Sequence, residues 1–225
     1  MYEFLTGPMV WISFGIFVIG LIIRGVRYIR GLDWKLDRVT YHENVSYGVR
    51  GAIRSILFWI FPYGTRSWRK NPWFTLWVFT MHFGLLITPI LLLGHNVLLK
   101  EKWGFSLWTL PEAVADALTV IVIISVVFLI LRRIALPEVR IITNWYDYLM
   151  LLIAVAPFIT GFLAYHRAPD YYFWLMAHII SGHIVLIAIP FTKLSHFLLF
   201  FMTRAQLGMD YGIKRGGMKS KGIAW

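Results

Sequence analysis

The chain has 225 residues, of which 59% are hydrophobic, with a mean hydropathy of +0.67 and a formal net charge of +11. A soluble domain is only about 45–50% apolar, so this composition indicates an integral membrane protein. Cysteine is absent, which excludes disulfides, cysteine-ligated zinc, iron–sulfur clusters and covalently attached c-type haem within this chain. In a membrane protein a basic excess is typical of cytoplasmic loops, so we expect no nucleic-acid partner.

Five apolar segments are long enough to cross a bilayer, which takes about 20 mostly apolar residues. Because backbone polar groups in lipid must be satisfied within the segment, we predict an all-α integral membrane protein. The predicted spans are residues 8–28, 73–99, 111–131, 144–165 and 172–203. They form a five-helix membrane domain over residues 1–203, with a cytoplasmic loop at 29–72 and a basic cytoplasmic tail at 204–225.

The Lys and Arg residues predict the orientation of these spans. Eighteen lie in the first loop, the third loop and the tail, whereas the loops on the other side have only Lys100, Lys102 and Arg167. Since positively charged loops stay in the cytoplasm, we predict a multi-pass protein of the inner membrane with a periplasmic N-terminus and a cytoplasmic C-terminus. Residues 46–64 of the first loop are either an amphipathic helix on the membrane surface or an ordinary connector.

Five histidines lie within the predicted spans, where ionisable side chains are costly and usually functional. His82 and His95 are on the second span, and His178, His183 and His196 are on the fifth. One such residue would be explained most simply by packing. Paired neutral imidazoles on two helices are what a bis-histidine haem iron requires, and no thiolate is needed. We therefore predict b-type haem held between the second and fifth helices.

Helix geometry predicts two haems rather than one. His178 and His196 are 18 residues apart, which on a straight helix puts them on one face and about 27 Å apart. His82 and His95 are 13 residues apart, or about 20 Å along the axis. Antiparallel packing then pairs His82 with His196 on the cytoplasmic side and His95 with His178 on the outer side.

The spacing also leaves two questions open. On a straight helix His82 and His95 point about 140° apart, and we expect Pro89, which lies between them, to kink or re-phase the helix. His183 is likewise 13 residues from His196, so it is the reserve ligand in place of His178. Spacing alone does not choose between His178 and His183.

The segment "PFTKLSH" (190–196), preceded by His178, resembles the gamma subunit of respiratory nitrate reductase and related membrane cytochromes b. That family has five spans and haem-ligating histidines on the second and fifth helices. "MHFG" (81–84) and "GH" (94–95) resemble its second-helix ligand pair, and the fifth-helix motif favours His178 over His183. "LGHNVLL" and the C-terminal segment are most similar to the DsrM/TmcC-type cytochrome b subunits of sulfate reducers.

The resemblance implies a di-haem b subunit of a respiratory redox complex in anaerobic respiration, such as sulfate reduction. Such a subunit carries electrons across the membrane between a quinone pool or a periplasmic multihaem cytochrome c and a cytoplasmic Fe–S subunit similar to heterodisulfide reductase. The chain would be an electron-transfer subunit of an oxidoreductase and not catalytic alone. The candidate menaquinone site comprises Gly94, Asn96 and Lys100, and Lys193 is the candidate partner of a haem propionate.

Simpler interpretations remain for the lysines and for the protein as a whole. Lys100 is explained more simply as an interfacial cation that extends from the apolar core to the membrane surface, and Lys193 is equally compatible with that role. The rival class is a haem-free transporter or proton-relay protein that uses intramembrane histidines to carry protons.

Overall fold

The computed structural model describes residues 1–32 and 45–214, and every regular element within these ranges is helical. The all-α prediction is confirmed for this part of the chain. The helices are α1 (Tyr2–Thr6), α2 (Pro8–Arg30), α3 (Val45–Ile60), α4 (Arg66–Lys70), α5 (Pro72–Leu91), α6 (Leu93–Trp103), α7 (Glu112–Ala135), α8 (Pro137–Arg140), α9 (Trp145–Tyr165), α10 (Tyr171–Phe191), a 3-10 helix (Lys193–Ser195) and α11 (His196–Lys214).

Five helical segments among the described residues are long and apolar enough to cross a membrane. They are Tyr2–Arg30, Pro72–Leu91, Glu112–Ala135, Trp145–Tyr165 and Tyr171–Phe191. Their number and order match the prediction. The fourth span agrees with the prediction to within a residue, and its start is fixed by a capping box that Asn144 and Asp147 form before α9. The protein is therefore a multi-pass α-helical membrane protein.

The second predicted span, 73–99, is not one helix. α5 ends at Leu91, Leu92 is extended, and α6 begins at Leu93. Pro89 lies in the last turn of α5, where its ring nitrogen has no N–H to contribute to the helix. His82 and His95 are consequently on different helices, so the 140° offset calculated for a straight helix does not apply.

The fifth predicted span, 172–203, is also broken. α10 ends at Phe191, and Thr192 is extended with its hydroxyl accepting the N–H of Leu194 at 3.2 Å. The prediction that His178 and His196 share one face of a straight helix is therefore wrong. α11 runs to Lys214, so residues 204–214 of the predicted basic tail are helical. The rest of the predicted tail, 215–225, lies outside the described residues.

The chain divides into two compact units, Met1–Trp11 with Leu76–Val185 and Ile12–Thr75 with Leu186–Trp225. In the second unit α3 packs against α11. Glycines allow this contact, because a Cβ at Gly51 would lie 2.1 Å from the carbonyl oxygen of Gly208, and one at Gly208 would lie 2.3 Å from that of Gly51. Such close backbone approach through small residues is common between membrane helices. The helix predicted over 46–64 thus exists as α3, and its position on a membrane surface remains a prediction.

Candidate functional site: a pair of oriented histidines

The four predicted axial ligands share one hydrogen-bonding arrangement. Each places ring atom Nδ1 against a backbone carbonyl: His82 on Val78 (2.8 Å), His95 on Pro89 (2.8 Å), His178 on Pro157 (2.9 Å) and His196 on Lys193 (3.0 Å). A carbonyl oxygen can only accept, so Nδ1 carries the proton and donates it, and the ring lone pair is on Nε2. Metal-bound histidines use this arrangement, since the carbonyl fixes both tautomer and ring orientation.

His95 and His178, both in the first unit, lie close together. Their ring planes are within 15° of parallel, and their ring centroids are 5.8 Å apart. A metal ion bound by one imidazole nitrogen on each side, at about 2 Å per bond, requires centroids about 6 Å apart. The tautomers put both lone pairs on Nε2, and the centroid separation is close to that of two imidazoles on one metal ion.

Helix α9 holds the ring of His178 through a notch formed by Pro157 and Gly161. The Pro157 carbonyl accepts the Nδ1–H of His178, and one turn later Gly161 leaves room for the ring. A Cβ at Gly161 would lie 2.8 Å from Nδ1 and 2.9 Å from Cε1 of His178. These distances are shorter than a van der Waals contact, so only glycine allows the ring to stay where it is.

The carbonyl that holds His95 comes from the break between α5 and α6. The last four carbonyls of a helix lack intrahelical partners, and in lipid each one must find another donor. Here the Thr88 carbonyl accepts from the N–H of Leu92, Pro89 from His95, Ile90 from Asn96, and Leu91 from the N–H of Leu110. The hydrogen bonds that satisfy the end of α5 therefore include the one that orients His95.

Asn96 is a structural residue of this break. Its side chain is 1% exposed, and its amide donates to the carbonyls of Ile90 and Leu92 at 2.8 and 3.0 Å. Its Oδ1 accepts the N–H of Leu107 at 2.8 Å. Because these three backbone groups occupy the amide, the candidate quinone residues that remain accessible are Gly94 and Lys100, both exposed on α6.

Replacing Asn96 with leucine is expected to lower the free energy of unfolding by about 1–3 kcal/mol for each buried backbone group left without a partner. Chemical or thermal unfolding in detergent measures the change. Asn71→Leu is the control, because Asn71 is exposed and its side chain is not part of this network. Equal stability of the two variants would contradict the structural role of Asn96.

His183, the reserve ligand, has the opposite tautomer. Its Nε2 donates to the carbonyl of Leu5 at 2.9 Å, and the side chain is only 7% exposed. Leu5 lies in the last turn of α1, where the helix is interrupted before α2 begins. Lys102 donates to the neighbouring carbonyl of Thr6. His183 thus satisfies a backbone carbonyl freed by a helix break, as Asn96 does elsewhere.

The remaining predicted site residues are not brought to this pair by any described contact. His82 lies in the first unit and His196 in the second, so their pairing stays a prediction. Lys193 is exposed within the 3-10 helix, and its carbonyl accepts the Nδ1–H of His196. Its role toward a propionate likewise stays a prediction.

Two imidazoles are the protein donor set that a haem iron would need. Within residues 1–32 and 45–214, no three His, Cys, Asp or Glu side chains are placed to hold a metal together. A structural zinc ion generally takes four protein ligands. Haem iron takes four nitrogens from its own macrocycle and needs only two axial ligands from the protein, which His95 and His178 can supply.

Sequence reasoning missed the contribution of the fourth span. Pro157 and Gly161 are four residues apart and so lie on one face of α9. A proline and a glycine at this spacing in an apolar helix do signal a close contact, although nothing in the sequence links that contact to His178.

These features define the class: a multi-pass α-helical membrane protein with an oriented histidine pair inside its first unit. The chain is 57% identical over 217 residues to a protein of Nitratidesulfovibrio vulgaris (strain Hildenborough) named simply "Protein", with 96% of each chain covered. The chain belongs to the same family as that protein, whose printed name gives no activity. No family model and no solved structure matches the chain.

Proposed function

We propose that this chain is a di-haem b membrane subunit of a respiratory redox complex, with His95 and His178 as the axial ligands of one haem. The observation that carries the proposal is the His95–His178 pair, with near-parallel rings, centroids 5.8 Å apart, and both Nδ1 atoms on backbone carbonyls. The haem would supply a one-electron carrier within the membrane. The protein's part is to fix the two rings before any cofactor binds, through the α5–α6 break and the Pro157–Gly161 notch.

The second haem and the partners rest on the family resemblance alone. We assign His82 and His196 to that haem, with Lys193 next to one of its propionates. Because the chain has no cysteine, Fe–S clusters must belong to a cytoplasmic partner similar to heterodisulfide reductase. On the periplasmic side the proposed electron partner is a multihaem cytochrome c, or menaquinone bound near Gly94 and Lys100.

The histidine tautomers favour this function over a haem-free proton relay or transporter. A relay histidine passes protons in at one ring nitrogen and out at the other, so both nitrogens must exchange protons. In each of the four predicted ligands one nitrogen is held by a backbone carbonyl. A fixed tautomer suits a ligand better than a relay.

Transmembrane electron transfer in proteoliposomes tests the function. With dithionite enclosed in the vesicles and ferricyanide outside, the wild-type protein should reduce ferricyanide faster than protein-free vesicles do. His178→Ala should lower that rate at least tenfold, because one haem of the electron-transfer path is lost. His166→Ala should leave it unchanged, because His166 caps the end of α9, where its Nε2 lies 3.1 Å from Asp116, and it is not a proposed ligand. A wild-type protein that moves protons but no electrons would support the relay class and overturn the proposal.

A further inference from the structure

Helix α3 has an exposed apolar face. Five residues form this face. They are 39–53% exposed and, at 100° per residue, lie within an arc of about 120°. They are Val45, Val49, Ile53, Leu57 and Ile60. An apolar stripe of this width on an otherwise basic helix is typical of helices that lie against a lipid surface.

The opposite face of α3 is buried against α11. Gly48, Gly51 and Ser55 are buried, and the hydroxyl of Ser55 accepts from Nε and Nη2 of Arg204 at 3.0 and 2.8 Å. The Arg204 guanidinium also lies 4.6 Å from the ring centroid of Trp59. The contact with α11 therefore fixes the rotation of α3, and with it the direction of the apolar face.

Contacts of α11 with α2 place the C-terminal half of α3 level with the last turns of that spanning helix. Along α11, Phe197 packs on Phe17, and two turns later Gln206 accepts a hydrogen bond from the hydroxyl of Tyr28, near the end of α2. Arg204, which holds Ser55 and Trp59, lies within this stretch. Because α3 runs antiparallel to α11, Leu57 lies closer than Val49 to the level of the middle of α2.

The charge of this region is complementary to an anionic surface. Residues 45–75 contain five basic residues and no acidic one. At 100° per residue Arg50 lies about 20° and Arg54 about 60° beyond the Leu57 edge of the apolar arc. The guanidinium of Arg54 lies 5.3 Å from the ring centroid of Phe58.

We propose that α3 is an oblique interfacial helix, with its apolar face against the acyl chains and its arginine edge binding the phosphates of anionic lipids. The phosphate oxygens supply acceptors for Arg50 and Arg54, and the acyl chains cover the five apolar residues. This partner is independent of the proposed electron-transfer function.

The absence of cysteine allows a direct test, since single cysteines label uniquely. Val49→Cys, Ile53→Cys and Leu57→Cys carry the environment-sensitive fluorophore NBD in nanodiscs of phosphatidylcholine and phosphatidylglycerol. We expect quenching by spin-labelled lipids to increase from Val49 to Leu57. Ile22→Cys, exposed on the spanning helix α2, is the lipid control, and Glu138→Cys, exposed between α7 and α9, is the water control. Probes at all three α3 positions that behave like the Glu138 probe would overturn the proposal and indicate a protein partner for this face.

A second measurement isolates the anionic headgroup. Replacing phosphatidylglycerol by phosphatidylcholine should reduce the quenching at Leu57, and Arg54→Gln should remove most of that lipid dependence. Arg140→Gln is the charge-matched control and should preserve it. Added inorganic phosphate should not substitute for the lipid. Quenching at Leu57 that is equal in both lipids, or restored by free phosphate, would contradict the headgroup assignment.

Discussion

Replacing His178 with alanine is expected to lower the haem b content from two haems per chain to one. The same loss is expected for His95→Ala, because the two imidazoles are proposed to share one iron and five-coordinate haem in a lipid-embedded site is held weakly. The double variant should lose no more than either single variant. Pyridine haemochrome analysis against protein concentration measures the ratio.

His183→Ala is the matched control for this experiment, since it removes an imidazole from the same helix. It should keep both haems and lose about 1–3 kcal/mol of stability, because the buried carbonyl of Leu5 would lose its donor. Loss of a haem from His183→Ala with retention of both in His178→Ala would mean that the wrong histidine has been chosen. If each single variant lost one haem and the His95→Ala/His178→Ala double variant lost both, His95 and His178 would serve different irons.

Gly161→Ala is expected to displace the ring of His178 without changing any proposed ligand. The added methyl group would lie 2.8 Å from Nδ1, so the ring or α9 must move, at a cost of about 1–3 kcal/mol for overpacking. We expect at least half of the His95/His178 haem to be lost on purification, or its low-spin spectrum to change. Optical and paramagnetic resonance spectra of the purified variant report both outcomes.

Gly182→Ala provides the control for that variant, because it adds the same methyl group to α10, where a Cβ meets nothing within 4 Å. Full haem content and an unchanged spectrum are expected. If Gly161→Ala were spectroscopically identical to Gly182→Ala, the notch on α9 would have no part in placing His178.

Hydropathy was sufficient to predict the number of spans, their order and the all-α class. It did not reveal the breaks at Leu92 and Thr192, because one extended residue does not change the apolar character of a window. Pro89 and Pro190, each in the last turn of its helix, were the available signals. Treating span 172–203 as one straight helix produced the wrong facial geometry for His178 and His196, whereas a kink at Pro89 was expected in span 73–99.

The pairing of His95 with His178 was predictable from the family motif and the antiparallel order of the spans. The groups that orient the rings were not, because their carbonyls come from a helix break and from a third helix. Asn96, His183 and His95 satisfy carbonyls freed by breaks in helices. In His95, as in His82, His178 and His196, the same kind of bond also fixes Nδ1 as the protonated ring nitrogen.

The reduced-minus-oxidised optical spectrum of the purified wild-type protein, combined with its haem-to-protein ratio, tests directly whether the chain binds two b haems. We expect the α-band of b-type haem, a low-spin bis-imidazole resonance in the oxidised state, and two haems per chain. A colourless preparation that is folded by circular dichroism and remains colourless after expression with excess haem would contradict this prediction.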